Sequence, residues 1–463
     1  MGTVYQGPPL PLIHDLKVTK ENPTLIFSDQ EIERKSMFLS NIDQVLNFDV
    51  QTIHFFAADA DFPPKIAAEK IEAAIRKLLV PYEFLSGRMK VNPETGRFEF
   101  DCNNAGVGFV VASSECSLEE IGDLVYPNPA FEQLVTRSLD SSDPNDHPLC
   151  IVQVTSFKCG GFAMGVQTNH ATFDGTSFKT FLENLAAVAW DKPLAVNPCN
   201  NRQLLAARSP PRVEFPHPEL LKLNTAMGKE AQDQPNPNVF DNSPSDLDFK
   251  VFRLSPDDIS DLKADAKSGP ITGRPKITGF NVVSAHIWRC KALSFDAENN
   301  PDRLSTILYA IDIRPRLSPP LVQSFAGNAV LTAYATATCK EIEEAPLSKL
   351  VEMVTEGSAR MTDEYARSAI DWGELYKGFP NGEFLVSSWW RLGFNEVEYP
   401  WGKPKYSCPL VYRRKDIILL FPDIDGAARG SKEGSGGGGV NVLVALPHKE
   451  MVKFESLFHK HLA

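Results

Sequence analysis

Long apolar runs are missing from this chain, and so is any excess of positive charge. No stretch is long and apolar enough to span a bilayer as a helix. The start, MGTVYQGPPLPLIHDL, has no charged segment ahead of an apolar core of the kind that marks a secretory leader. Gly2 invites N-myristoylation, but Gln6 stands where that signal takes Ser or Thr. A formal net charge of −12 leaves nothing to displace counterions from phosphate, which argues against nonspecific nucleic-acid binding. The eight cysteines (Cys102, Cys116, Cys150, Cys159, Cys199, Cys290, Cys339 and Cys408) never form a CxxC pair, so neither a zinc module nor a dense disulfide scaffold is encoded. Reduced thiols in the cytoplasm are the simplest reading. There is no GxSxG elbow of a serine hydrolase. The glycine run between Asp423 and Gly439 lacks the GxxxxGK[ST] order, so it reads as a hairpin loop and not as a phosphate cradle.

What is present is the composition of a soluble globular protein, with 43% hydrophobic and 23% charged residues. At 463 residues the chain outgrows one ordinary core, so two domains are expected. Strand-like and helix-like segments alternate. Pro63 and Pro64 open a helix whose Ala67, Ile71, Ala74, Ile75, Leu78 and Leu79 recur at helical spacing, and Pro81 stops it. Between Leu205 and Phe249 the pattern dissolves into Pro, Asn and Asp, the mark of a crossover. The expected division is therefore 1–205, a crossover over 206–248, and 249–463. Beyond the crossover, Thr278 is placed to cap a helix carrying Phe280, Val283, His286, Ile287 and Trp288, with His286 read as core. Ile307 to Ile313 reads as a strand, and so do Ile417 to Phe421 and Val440 to Leu446.

The densest chemistry lies in His170-Ala-Thr-Phe-Asp-Gly175. The alternating run Ile151 to Val154, the turn Lys158-Cys-Gly-Gly161 and the apolar Phe162 to Val166 predict a hairpin that delivers His170 to a strand end. Phe178, Phe181, Leu182 and Leu185 predict a helix immediately after it. An imidazole held at such a corner, with an ordinary pKa near ~6.5, suits proton abstraction from a hydroxyl at neutral pH. A strand-end histidine is equally a common structural residue, and Asp174 sits where an N-cap carboxylate would stabilise the next helix. His and Asp at this spacing supply at most two metal ligands, with no third His or Cys nearby, so no metal is expected.

HATFDG is similar to the HxxxDG hallmark of the BAHD family of plant acyl-CoA-dependent acyltransferases, and its companions follow in family order. Leu39-Ser-Asn-Ile-Asp43 resembles the family's LSxxD segment, and Tyr82 to Met89 its YPLAGR segment. Asp312-Ile-Arg-Pro-Arg316 with Phe325-Ala-Gly-Asn328 resembles DxRxR and FGN. Ser387-Ser-Trp389 resembles T/S-S-W, and Glu398-Tyr-Pro-Trp-Gly402 stands where the family has DFGWG. The resemblance implies an α/β fold of two chloramphenicol-acetyltransferase-like domains joined by a long crossover, with the active-site channel between them. It further implies His170 as general base in a ternary complex, Ser387 and the Trp389 indole as oxyanion helpers, and Asp174 as an orienting residue paired with Arg314 or, second, Arg316. Trp401 and Gly402 fall in a segment that is structural in the family, so Glu398 and Pro400 need not abolish activity.

Acyl-CoA then enters as co-substrate with no further cofactor, and the chain is expected to act as a monomer. Arg274 and Lys276 beside Thr278 would face the CoA phosphates, because cations next to a helix N-terminus suit an anion. Relatives that acylate shikimate hold its carboxylate with an arginine just upstream of T/S-S-W; Asp371 to Val386 carries Lys377 but no arginine, so the resemblance implies a neutral alcohol or phenolic acceptor. A hydroxycinnamoyl donor is the expected acyl group. The alternatives are a non-catalytic family member serving lipid elongation, and an acyl-CoA thioesterase in which the same base activates water.

Overall fold

Cys150–Ser156 and Phe162–Asn169 pair antiparallel in register from Phe162 opposite Ser156 to Thr168 opposite Cys150, so the hairpin read from the alternation is formed. Phe162–Asn169 is buried along its whole length, which requires cover on both faces. On one of them the chain passes so close that a Cβ on Gly165 would stand 2.1 Å from the Leu134 carbonyl oxygen; only glycine fits there. The computed structural model describes residues 3–4, 13–125, 127–139, 146–222, 246–268, 277–295, 300–410, 416–424 and 438–462.

The protein has a mixed α/β fold built on two large sheets. In the first, Asp49–Phe56 lies antiparallel to Phe162–Asn169, and Val107–Ser114 runs parallel to Cys150–Ser156. Pro64–Leu78 and Gly175–Ala189 bury their apolar stripes in this half, Ala67, Ile71, Ile75 and Leu78 from one and Phe178, Phe181, Leu182 and Leu185 from the other. Pro64 sits in the first turn, where its missing N–H costs nothing. The second sheet runs Asp248–Leu254, Val440–Leu446, Ile417–Pro422, Phe384–Ser388, Leu304–Asp312, Val330–Thr338. Gly279–Ser294 packs in its core, capped by the Thr278 hydroxyl on the Asn281 N–H. Ile417–Pro422 and Val440–Leu446 are antiparallel neighbours; most of the glycine-rich run that joins them lies outside the described residues.

Two differences from the sequence reading stand out. The strand expected at Ile307 starts at Leu304 and ends at Asp312, because Ile313 already turns into the short 3₁₀ turn Arg314–Arg316. The chain-order division at 205 and 249 is crossed twice. Tyr406–Pro409 pairs antiparallel with Asp49–Phe56 at the edge of the first sheet, and Thr3–Val4 pairs with Asp248–Leu254 at the edge of the second. Segments of four and two residues are too short to show a period. Of the crossover, 206–222 and 246–248 are described, and 223–245 lie outside.

The exchanged strand is keyed by His54, whose Nδ1 lies 2.9 Å from Ser407 Oγ. Burial pushes the His54 imidazole down to about 3. In the other half, burial reinforced by His461 and Arg289 does the same to His286, also to about 3; His286 packs edge-on against Phe458, as a core histidine should. Both are therefore neutral in the fold, while the unfolded chain protonates them below about pH 6.5. Between that pH and about 3 the unfolded state binds more protons, so stability falls with acidification, by up to about 1.4 kcal/mol per pH unit for each residue. Denaturant midpoints should thus drop from pH 7 to pH 5, and drop less steeply in His286→Leu. A flat profile for the wild-type chain would contradict these assignments.

Candidate active site

His170 follows the last residue of Phe162–Asn169, and its N–H donates to the Phe48 carbonyl at 2.8 Å. The turn after it closes on Asn169: the Ala171 N–H donates to Asn169 Oδ1 at 3.0 Å, and the Thr172 hydroxyl to the Asn169 carbonyl at 2.5 Å. Asp174 then caps Gly175–Ala189 in a reciprocal box with Ser177. The N-cap expected of Asp174 is formed, and the same carboxylate also meets Arg314, the partner the resemblance implied.

Its two oxygens are fully engaged. Oδ1 accepts from the Ser177 N–H at 2.9 Å and from Arg314 Nη2 at 3.0 Å, and Oδ2 accepts from the Ala329 N–H at 2.9 Å and meets Arg314 Nη1 at 2.8 Å. The pair is bidentate, with Arg314 wholly buried and Asp174 3% exposed. Burial works against the Arg314 charge, yet Asp174 and Asp312 outweigh it and hold the guanidinium above its usual range. A second buried pair lies on the other side of the loop. Arg202 Nη1 meets Asp43 Oδ1 at 2.9 Å and donates to the Ala171 carbonyl at 2.6 Å, while Nη2 donates to the Thr172 carbonyl at 2.7 Å. Asn328 Nδ2 bridges the Asp43 carboxylate and the His170 carbonyl, 2.9 Å from each. Successive carbonyls of residues 170, 171 and 172 are thereby tied down, and Asp174 is clamped from the far half of the chain.

The loop faces a cavity of about 430 Å³ between the two halves. His170, Ser387 and Trp389 all line it, with the rings of Phe48, Phe178 and Phe394. Phe48 stands edge-on to His170 at 5.2 Å, and Trp389 edge-on to Phe394 at 5.1 Å. Among the described residues no Lys or Arg lines it, and the ionisable ones that do are His170, Asp174 and Asp312. The arrangement offers a base, a hydroxyl and an indole N–H around an apolar volume.

The other expected residues lie elsewhere. Arg316 is not a partner of Asp174: its Nη1 donates to the Ser358 and Met361 carbonyls, closing the end of Leu347–Arg360, because the 3₁₀ turn aims alternate side chains in different directions. Trp401 and Tyr399 stack at 5.4 Å and pack on Phe56. Tyr399 and Gly402 exchange backbone hydrogen bonds, with Gly402 at φ +94°. Pro400 sits inside that turn, where no donor is needed, and the Glu398 side chain is exposed. Thr278 caps a helix, while Arg274 and Lys276 lie outside the described residues. The sequence reading passed over Arg202 altogether. Among the described residues no cluster of His, Cys, Asp and Glu could hold a metal, and no helix is long and apolar enough to cross a membrane.

A model of the transferase family matches residues 16–461. Acyltransferase GLAUCE of Arabidopsis thaliana is 60% identical over 100% of both chains. Omega-hydroxypalmitate O-feruloyl transferase of Arabidopsis thaliana is 32% identical, covering 96% of this chain and 93% of its own. The crystal structure of vinorine synthase superposes with a TM-score of 0.71 at 24% identity, over 95% of this chain and 98% of that one, and shares the fold.

Asp174→Asn is expected to leave Arg314 buried with half its counter-charge, so stability should fall by about 3–5 kcal/mol together with turnover. Glu398→Gln, at an exposed side chain, should keep both. Thermal melting beside initial rates checks the contrast; an inactive Asp174→Asn protein with an unchanged Tm would instead place Asp174 in the chemistry itself.

Proposed function

Because the chain belongs to the transferase family's acyl-CoA-dependent BAHD acyltransferases, we propose that it moves a hydroxycinnamoyl-type group from CoA to the hydroxyl of a neutral alcohol or phenol, with His170 as general base. The observation that carries this reading is the cavity itself: His170, Ser387 and Trp389 line it together, and among the described residues no guanidinium or ammonium does. Among those residues an acceptor carboxylate would find no counter-charge. The Phe48, Phe178, Phe394 and Trp389 rings suit a flat aromatic acyl group. The relative that is 32% identical is named for an O-feruloyl transfer, which is consistent with that donor.

The thioester carbonyl is already activated, so the site needs to orient, deprotonate and stabilise. The acceptor O–H gives its proton to the His170 imidazole as its oxygen attacks the carbonyl carbon. The carbonyl electron pair moves onto oxygen, where the Ser387 hydroxyl and the Trp389 N–H donate to it. Collapse reforms the carbonyl and breaks the C–S bond, and the imidazolium returns the proton to the departing CoA sulfur. No acyl-enzyme forms, and holding both substrates together supplies several kcal/mol of barrier lowering. CoA is assigned to the side where the helix headed by Thr278 meets the Trp389–Trp390 turn; a Cβ on Gly279 would stand 3.0 Å from the Trp390 ring. Arg274 and Lys276 precede that helix and are assigned to the phosphates.

His170→Ala should lower kcat by about 10²–10⁴ with the fold and CoA binding retained. Feruloyl-CoA, p-coumaroyl-CoA and acetyl-CoA crossed with neutral alcohols and shikimate, read by mass spectrometry, test the substrates. Preference for acetyl-CoA or shikimate would overturn the assignment, and free acid as the sole product would make the protein a thioesterase.

A further inference from the structure

The helix Asp363–Tyr376 is strapped down by the crossover from outside and lines the cavity from inside. Asp371, 1% exposed, accepts the N–H groups of Arg208 at 2.8 Å and Arg212 at 2.7 Å and the Arg208 Nε at 2.6 Å. Ser368, fully buried, accepts the N–H groups of Glu214 at 2.9 Å and Phe215 at 3.3 Å. Its hydroxyl also lies 2.8 Å from His217 Nε2. His217 Nδ1 lies 2.9 Å from Glu219 Oε1, which also takes the Tyr365 hydroxyl at 2.7 Å. The Ser368–His217–Glu219 chain has the order of a hydrolase triad. Ser368 is nevertheless fully buried and does not line the cavity, so the chain is a fastening and no nucleophile.

The fastened helix presents Ala369, Ile370 and Trp372 to the cavity. Trp372 is 3% exposed, and its ring lies beside Gly378, which leads into the two-stranded sheet of Phe379–Pro380 and Leu220–Leu221. A Cβ on Gly378 would stand 2.4 Å from the Trp372 ring and 1.8 Å from the Leu221 carbonyl oxygen, so only a glycine allows this closure. Leu220 and Pro380 line the cavity beside the ring. An indole held by a strapped helix on one side and backbone on the other cannot swing aside to admit a longer ligand.

We infer that Trp372 sets the length of the acceptor: it forms part of the cavity's apolar wall beside Leu220 and Pro380, and the acceptor is a neutral alcohol whose chain or ring ends against the indole. This deepens the acyltransfer reading and rests on it for the placing of CoA. Trp372 is a specificity-determining residue and takes no part in the chemistry.

The test compares wild type, Trp372→Phe and Trp372→Ala on straight-chain primary alcohols of rising length with feruloyl-CoA as donor. In Trp372→Ala the longest alcohol accepted should grow by several carbons, and Trp372→Phe should move it part of the way. For alcohols just beyond the wild-type limit, kcat/KM should rise by about tenfold or more, since one misfitted methylene in a pocket is worth about 10- to 200-fold. The KM for feruloyl-CoA should stay unchanged. The same chain-length profile in all three proteins, or a shift in the donor KM with no shift in acceptor length, would overturn the inference. Titrating the alcohols calorimetrically into CoA-saturated protein reads the same limit without turnover. A protein that transfers to no alcohol would defeat the acyltransfer reading, while its binding profile still decides the role of Trp372, and Trp372→Phe decides it if the alanine variant does not fold.

Discussion

Everything in the candidate site hangs on the clasp between Asp174 and Arg314. It joins a helix N-terminus of the first half to a turn after a strand of the second, and it does so with a bidentate pair that is all but removed from solvent. Buried ion pairs seldom add stability over an apolar equivalent, because the desolvation of both charges offsets their attraction. Their strength is that few other geometries satisfy them. With the Phe325 and Gly327 carbonyls also accepting from Arg314, the clasp leaves the His170 loop little freedom to settle elsewhere.

Arg202 and Asp43 repeat the device from the other side. Their pair reaches the Ala171 and Thr172 carbonyls directly and the His170 carbonyl through Asn328. A general base is useful only within hydrogen-bond reach of the proton it removes, so in the role proposed for His170 the fixed backbone around it would matter directly. The cavity in front of the loop is lined mainly by apolar side chains and, among the described residues, by no Lys or Arg. The arginines of the two clasps, Arg202 and Arg314, are wholly buried behind the histidine and are not among the lining residues of the cavity.

Much of this was legible in the sequence because it was local. The hairpin leading to His170, the helix after Asp174, the proline-started helix at Pro64 and the Thr278 cap all follow from spacing within about a dozen residues. The Arg314 partner came from the family resemblance and lies 140 residues from Asp174. Arg202 could not be read the same way. Its partners are carbonyls 30 and 31 residues back and a carboxylate in the first segment, and nothing around Asn201-Arg-Gln203 marks it out from a solvated arginine. The exchanged strands at Thr3–Val4 and Tyr406–Pro409 were hidden for a related reason, since their identity comes from the sheet that receives them and not from their own pattern. Arg316 shows the converse, where the right residue type in the right turn points at the carbonyls of Ser358 and Met361.

The claim that the clasp acts as one unit to aim His170 is tested most directly by a double-mutant cycle on kcat with Asp174→Asn and Arg314→Met, singly and together, at a temperature where all four proteins are folded. The two residues should be strongly coupled, with the double variant no slower than the slower single one and an interaction energy of about 0.5–3 kcal/mol. Losses in log kcat that simply add would show that Asp174 and Arg314 act separately, and would contradict the account.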